Sequence, residues 1–394
     1  GKLPYFILVR GFISRRDAAV RTLTTLRFYW NSKHGPEPEA AGYHGLFYHL
    51  LDMKKGRRAK MSELSVFDTA VLLAGAFTAS SYFDDETPDE NEIRELTEAL
   101  YRRVDWPWAL GGGNILHQYW LPERGFSKNS WKGFNEAFIA YIMAMGSPTF
   151  PLQAESYTEW TKTFRMVSSY GFDYLFAGPL LHHQLPHIWL DLKNLSDRFM
   201  SEKGTDYFEN ASKATQVQRQ YAIDNPGRFR GYGKNCWGLT YCDGPGPGTM
   251  YVRGEERKVF GLAYRGAPDG PDDGTVSPWA AICSLPFAPA IVLPLIEYLF
   301  RETDLFIANS YGFRSAYNPS ICPKSYNVFG WKSPWHTGIN QGPALPMIEN
   351  YRTGLIWNLM KENQYAAIGL KRAGFEGGWL DKVESSTEER AGYY

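Results

Sequence analysis

Three stretches set carboxylates at the head of strongly apolar segments. They are Ser62-Glu63-Leu64-Ser65-Val66-Phe67-Asp68-Thr69, Gly133-Phe134-Asn135-Glu136-Ala137 and Pro271-Asp272-Asp273-Gly274-Thr275. A buried carboxylate is costly unless partnered. Several such helix mouths, in a chain with 13 Trp and 25 Tyr, predict an acidic, aromatic-lined pocket built from helix ends. Carboxylates in such a pocket suit glycoside hydrolysis, where one protonates the departing oxygen and another activates water.

Glu136 is the first candidate for the acid. Burial beside Phe134 and Trp131 would raise its proton affinity, which suits a donor at neutral pH. The structural alternative is a first-turn Glu held by the helix dipole. Glu63 and Asp68 flank the start of an apolar helix, with Ser62 or Ser65 as its cap, and Asp68 has only apolar neighbours. Of Asp272 and Asp273, one is expected to be an N-cap, and the other to hold a sugar hydroxyl or act as base. The alternating acidic series of a calcium loop is missing there.

His183 and His187 stand four apart, a spacing that can bind metal. Yet the His-Glu-x-x-His pattern is absent and Pro186 interrupts the turn. With Gln184, these residues point to hydrogen bonds with substrate or backbone, so no metal and no cofactor is expected. Gly111-Gly112-Gly113 lacks the strand-then-helix setting of a phosphate cradle and reads as a flexible loop. Trp106, Trp108, Trp120, Trp131, Trp237, Trp331 and Trp335 lie in or beside loops, where a ring can stack on a sugar face.

Two kinds of helix must position these groups. One is amphipathic: Ser14 reads as an N-cap with Asp17 three residues on, and Thr87-Pro88-Asp89-Glu90 reads as a capping box. Residues 154–168 and 205–223 belong to the same kind. The other is apolar almost all round, and therefore buried: 67–83, 134–145, 180–192, 277–287 and 341–360. The alternation predicts two concentric helical layers. Strand signals are sparse, apart from a hairpin expected within 250–264. Residues 1–380 read as one domain and 381–394 as a polar tail.

Formal net charge is zero over 394 residues, which argues against a nucleic-acid surface. No run of about 18 apolar residues marks a transmembrane helix. Gly1 to Arg10 lacks the flanks of a signal peptide. Cys236, Cys242, Cys283 and Cys322 form no Cys-x-x-Cys pair, so free buried thiols are expected, with one bridge as the alternative in an exported protein.

The run of motifs resembles the glucoamylase-like family, which includes the glycoside hydrolase family 144 β-1,2-glucanases. The motifs are Tyr48-His49-Leu50-Leu51-Asp52-Met53, Ser62-Glu63-Leu64-Ser65, Phe67-Asp68-Thr69-Ala70, Phe134-Asn135-Glu136-Ala137, Cys236-Trp237-Gly238, Asp243-Gly244-Pro245, Pro271-Asp272-Asp273-Gly274-Thr275 and Asn340-Gln341-Gly342-Pro343. The resemblance covers nearly the whole chain. It implies an all-α (α/α)6 toroid, hydrolysis of β-1,2-glucan (endo, or exo with sophorose release), inversion and no metal. It also implies that Glu136 is the general acid and that Glu63 and Asp68 lie at the pocket. Some relatives carry Asp where this chain has Asn340, so either Asp272 or Asp273 serves as base or the substrate differs. Family members carry another helix pair before the segment that resembles residues 11–15, so an N-terminal truncation is expected.

The chain is thus expected to be a β-1,2-glucan hydrolase with Glu136, Asp272 and Asp273 as catalytic candidates. Glu63, Asp68, His183, Gln184, Trp237, Trp335, Asn340 and Gln341 would bind the glucan. A monomer is expected, without nucleic-acid or membrane partners, and a periplasmic or secreted parent protein. The rivals are a polysaccharide lyase on a similar toroid and a non-catalytic glucan-binding protein.

Overall fold

Ser14 and Thr87 each start a helix, and in both cases the hydroxyl accepts the backbone N–H three residues on. This satisfies one of the donors that a helix start leaves open. The computed structural model describes residues 11–252, 255–307, 311–321 and 330–382, without the side chains of Val252, Ile307 and Asn340. Cys322, most of the polar tail and the Asn340 side chain therefore lie outside the described residues.

The helices are α1 (Arg15–Asn31), α2 (Val66–Tyr82), α3 (Pro88–Arg102), α4 (Phe138–Gly146), α5 (Ala154–Thr161), α6 (Leu180–Gln184), α7 (Arg198–Ser201), α8 (Tyr207–Asp224), α9 (Pro278–Cys283), α10 (Pro289–Arg301), α11 (Gly338–Thr353), α12 (Leu355–Lys361) and α13 (Gln364–Arg372). The structure is helix-rich. An antiparallel sheet joins β1 (Gly42–Tyr43), β2 (Leu46–Tyr48), β3 (Leu64–Ser65), β4 (Tyr119–Leu121) and β5 (Gly125–Phe126), in that order. Among the described residues four antiparallel strand pairs follow: β6 (Met166–Ser169) with β7 (Phe172–Leu175), β8 (Gly248–Val252) with β9 (Glu255–Val259), β10 (Phe306–Ile307) with β11 (Gly312–Phe313), and β12 (Tyr317–Asn318) with β13 (Trp331–Lys332).

Two compact units emerge. The first comprises the described parts of Gly1–Phe164, Trp189–Asp206 and Ile356–Tyr394; the second comprises those of Arg165–Ile188 and Tyr207–Leu355.

In the first unit every residue of α4 is buried, as an all-apolar helix requires. It crosses α13 at two glycines. A Cβ at Gly369 would lie 2.1 Å from the Ile142 carbonyl oxygen, and one at Gly146 would lie 2.2 Å from that of Tyr365. No side chain fits such a contact, so the backbones meet directly. Arg372 then donates to the Met145 (2.7 Å) and Ser147 (3.3 Å) carbonyls, answering acceptors exposed where α4 ends. Tyr141 stacks on Trp160, with ring centroids 4.4 Å apart.

In the second unit α8 carries Asn210 and Gln218 on its buried face. Asn210 bonds both backbone groups of Leu175. Gln218 accepts from the Leu239 N–H and donates to the Gly178 carbonyl. Two buried amides thus satisfy backbone groups of Leu175, Gly178 and Leu239 inside the unit.

Five expected elements differ. The helix expected over 277–287 ends at Cys283, and the one expected over 341–360 breaks at Gly354, whose left-handed backbone separates α11 from α12. The helix expected over 154–168 stops at Thr161, and Met166–Leu175 forms a hairpin. Tyr170 and Gly171 both take positive φ at its turn, the geometry of a tight hairpin loop. The helix expected over 180–192 ends at Gln184 and passes into a 3-10 turn at Pro186–Ile188, because proline cannot donate to the preceding turn. The helix expected over 134–145 begins only at Phe138.

Candidate active site

In the first unit Glu136 sits in the turn that feeds α4. Its side chain is buried, with 4% of the residue exposed. Asn135 shapes that turn: its amide donates to the Lys132 and Gly133 carbonyls, and its oxygen accepts from the Ala137 N–H at 3.0 Å. Gly133 takes φ +71° and donates its N–H to Thr163 Oγ1 at 2.7 Å. The carboxylate is therefore mounted on a fixed loop and a fully buried helix, as a proton donor needs.

Asp68 lies in the first turn of α2, where Ser65 caps its N–H. Its Oδ2 bonds His49 Nδ1 at 2.7 Å. That bond first, then the charges of Asp68 and Glu63, raise the His49 pKa against the opposing effect of burial. Glu63 is half-buried, and its carbonyl accepts from the His49 N–H at 2.8 Å. Glu63, Asp68 and His49 thus form one local group. His49 is a residue that the sequence reading did not single out.

In the second unit the adjacent aspartates separate in role. Asp272 accepts from the Tyr232 hydroxyl (2.8 Å), the Tyr221 hydroxyl (3.0 Å) and the Gly274 N–H (2.8 Å). Burial raises its pKa, and these donors oppose the rise. Asp273 faces Arg265, with contacts of 2.7 Å to Nε and 2.9 Å to Nη2, both side chains wholly buried. Burial alone would raise the Asp273 carboxyl, but the Arg265 hydrogen bonds and charge outweigh it and hold it low. A carboxylate so engaged is a structural counter-ion. Neither aspartate is the expected N-cap: Ser277 precedes α9, and each aspartate instead closes an Asx turn onto a backbone N–H two residues on.

Several residues expected at the sugar face inward. Gln184 donates to the Ala280 carbonyl and to Ser284 Oγ, and is 1% exposed. His183 Nε2 meets the Ala177 carbonyl at 3.0 Å, and its Nδ1 meets Asn210 Nδ2 at 3.2 Å. Burial lowers this imidazole to about 3, so the ring is neutral, with Nε2 the donor. Trp237 is buried and donates to the Lys234 carbonyl. Gln341 donates to the Phe313 carbonyl. Trp335 does stand out, 64% exposed. Its backbone N–H donates to Ser333 Oγ, and Ser333 and Ser315 both donate to the Asp243 carboxylate. Asp243 is thus an acidic group, quoted within a motif but given no role in the sequence analysis, that holds these two serines.

The model of the Glycoamylase family, described as "Putative glucoamylase", matches residues 128–364. The chain belongs to this family. That span holds Glu136, Asp272 and Asp273. The chain is 27% identical over 398 residues to an exo β-1,2-glucooligosaccharide sophorohydrolase (non-reducing end) of Parabacteroides distasonis. The match covers 92% of this chain and 50% of the relative, so the chain spans about half the length of the curated relative it matches. A solved structure from Bacteroides uniformis, described in the same words as the family, is 30% identical with TM-score 0.82, over 96% of this chain and 87% of that one. An endo-β-1,2-glucanase from Chitinophaga pinensis, solved with sophorotriose and glucose, is 26% identical with TM-score 0.79, over 96% and 86%. Among the described residues no helix is long and apolar enough to cross a membrane. The acidic trio Asp84, Asp85 and Glu90 is bridged by Arg15.

Proposed function

We propose that this chain is a glycoside hydrolase that cleaves β-1,2-glucan with inversion, and that Glu136 is its general acid. The observation that carries the reading is the likeness, over more than nine-tenths of the chain, to the P. distasonis sophorohydrolase and the C. pinensis endo-β-1,2-glucanase. The same likeness supports an (α/α)6 toroid as the architecture and one domain over residues 1–380. Glu136 gains support from its burial and from the rigid mount that Asn135 and α4 provide. Glu136 protonates the departing glycosidic oxygen.

Asp272 is the better base of the adjacent pair. Its burial favours proton uptake, whereas Asp273 is committed to Arg265. The hydroxyls of Tyr221 and Tyr232 fix the Asp272 carboxylate while it activates water. Glu63, Asp68 and Trp335 bind sugar. The enzyme acts as a monomer, and a polymeric substrate supports a periplasmic or extracellular place for the parent protein.

The test is reducing-sugar release from linear β-1,2-glucan, with the product anomer read by NMR. Glu136→Gln is expected to lower kcat by roughly 10²–10⁴-fold. A wild-type chain that releases no sugar refutes the hydrolase, and equal rates for the variant refute the assigned acid.

A further inference from the structure

A cleft of about 820 Å³ opens in the first unit, between the end of α1, the loop 48–56 and the start of α2. The His49–Asp68 pair lines it. Tyr29, Asp68 and Leu72 also line an adjoining cavity of about 210 Å³, walled by Leu26, Val71 and the small residues Gly75, Ala76 and Ala79. A polar pair therefore stands over an apolar floor with an aromatic ring in it. That composition recognises a sugar, whose hydroxyls need fixed donors and acceptors and whose C–H face needs an apolar surface.

The pair is half anchored. Asp68 Oδ2 holds His49 Nδ1, and the two side chains are 39% and 46% exposed. Among the described residues no hydrogen bond reaches His49 Nε2 or Asp68 Oδ1. One atom of each group is spent on the other, and one remains to meet a ligand.

We propose that His49 is a substrate-positioning residue: its Nε2–H donates to one hydroxyl of a glucosyl unit in this cleft, while Asp68 Oδ1 accepts from a neighbouring hydroxyl. The inference rests on the β-1,2-glucan reading. It makes binding depend on pH, because the role of Nε2 changes with the charge on the ring. The cationic ring donates from both nitrogens. The neutral ring keeps its proton on Nδ1, toward Asp68, and Nε2 becomes an acceptor. The charged or titratable groups around His49 are Asp68 of α2, Tyr48 of β2, Glu63 before β3, Asp52, Lys54 and Lys55 of the loop, and Tyr29 of α1. Asp68 and Glu63 keep the ring charged to higher pH than an isolated histidine.

Two replacements separate positioning of substrate from support of Asp68. Glutamine places an N–H near the position of Nε2, whereas asparagine places one near Nδ1. Kinetics on sophorotriose between about pH 5 and 9 are expected to show the wild-type KM rising roughly ten-fold as the ring loses its proton. His49→Asn should raise KM roughly ten-fold at the acid end with little change in kcat, and His49→Gln should recover most of that loss with a KM flat across this range. A His49→Asn variant with wild-type KM overturns the proposal, as does a His49→Gln variant no better than His49→Asn. A second arm needs no turnover: the His49 ring resonances of the wild type should shift as sophorose is added, and an unmoved ring overturns the proposal. A wild type that releases no sugar from β-1,2-glucan is the failure of the hydrolase reading, and the sophorose titration then decides the site by itself.

Discussion

Replacing Asp273 by Asn strands the Arg265 guanidinium as an uncompensated cation inside the second unit. The wild-type pair is bidentate at 2.7 and 2.9 Å, with neither side chain exposed. Arg265 spends its remaining donors on carbonyls of Cys242 (2.9 Å), Ala263 (3.2 Å), Phe260 (3.2 Å) and Gly261 (3.3 Å). Asp273 also accepts the N–H of Phe260 and of Thr275. An amide cannot accept at both oxygen positions, so its NH₂ would face a donor. Removing one partner of a buried ion pair costs about 3–5 kcal/mol. At roughly 2–4 °C per kcal/mol for a large domain, Tm should fall by about 6–20 °C. Urea titration and thermal scans by circular dichroism measure both quantities. The double variant Arg265→Met/Asp273→Leu should regain much of the loss, since it leaves no buried charge. An Asp273→Asn protein within about 1 kcal/mol of wild type would show that the pair does not carry the stability assigned to it.

The same pair has a pH signature. The Asp273 pKa is held below its ordinary 3.8 in the folded state, so its stabilisation is present above that value and disappears as pH falls through the depressed folded value. The urea-stability gap between wild type and Asp273→Asn should therefore narrow below about pH 4. His183 acts further up the scale: burial lowers it from 6.5 to about 3, so the unfolded chain takes up a proton first and stability falls as pH drops below 6.5. His183→Gln should lose about 2 kcal/mol less than wild type between pH 7 and 5, as read from urea midpoints. Gly369→Ala pushes a methyl against the Ile142 carbonyl and should cost about 1–3 kcal/mol or more, with a lowered Tm; an unchanged Tm would mean that the α4–α13 contact is loose.

The elements that were legible in the sequence are those whose signals are local. The caps at Ser14 and Thr87, the apolar run that becomes α2, the amphipathic run that becomes α8 and the hairpin within 248–259 each announce themselves within a few residues. The five-stranded sheet does not, because strands of two or three residues are too short to show alternation. The turn at Tyr170-Gly171 was readable, but the amphipathic pattern before it masked the change of period.

The site divides in the same way. Glu136 and Asp68 stood out as acids among apolar residues, and the structure gives both a defined mount. His183 and Gln184 were expected at the sugar, yet the all-apolar run that holds them implied a helix buried on every side, so their polar ends turn to internal partners. The tie between Asp273 and Arg265 spans eight residues of irregular chain, where no periodicity predicts a contact. His49 was hidden among the apolar residues of Tyr48-His49-Leu50-Leu51, and only its pairing with Asp68 gives it a role.

The glycine crossing of α4 and α13 ties the mount of Glu136 to a segment made more than two hundred residues later. During synthesis the nine apolar residues of α4 leave the ribosome long before their cover exists. Until Gln364–Arg372 arrives, the face of that helix that meets α13 is a sticky surface of the kind chaperones hold. The loop bearing Glu136 therefore acquires this support only when α13 has been translated.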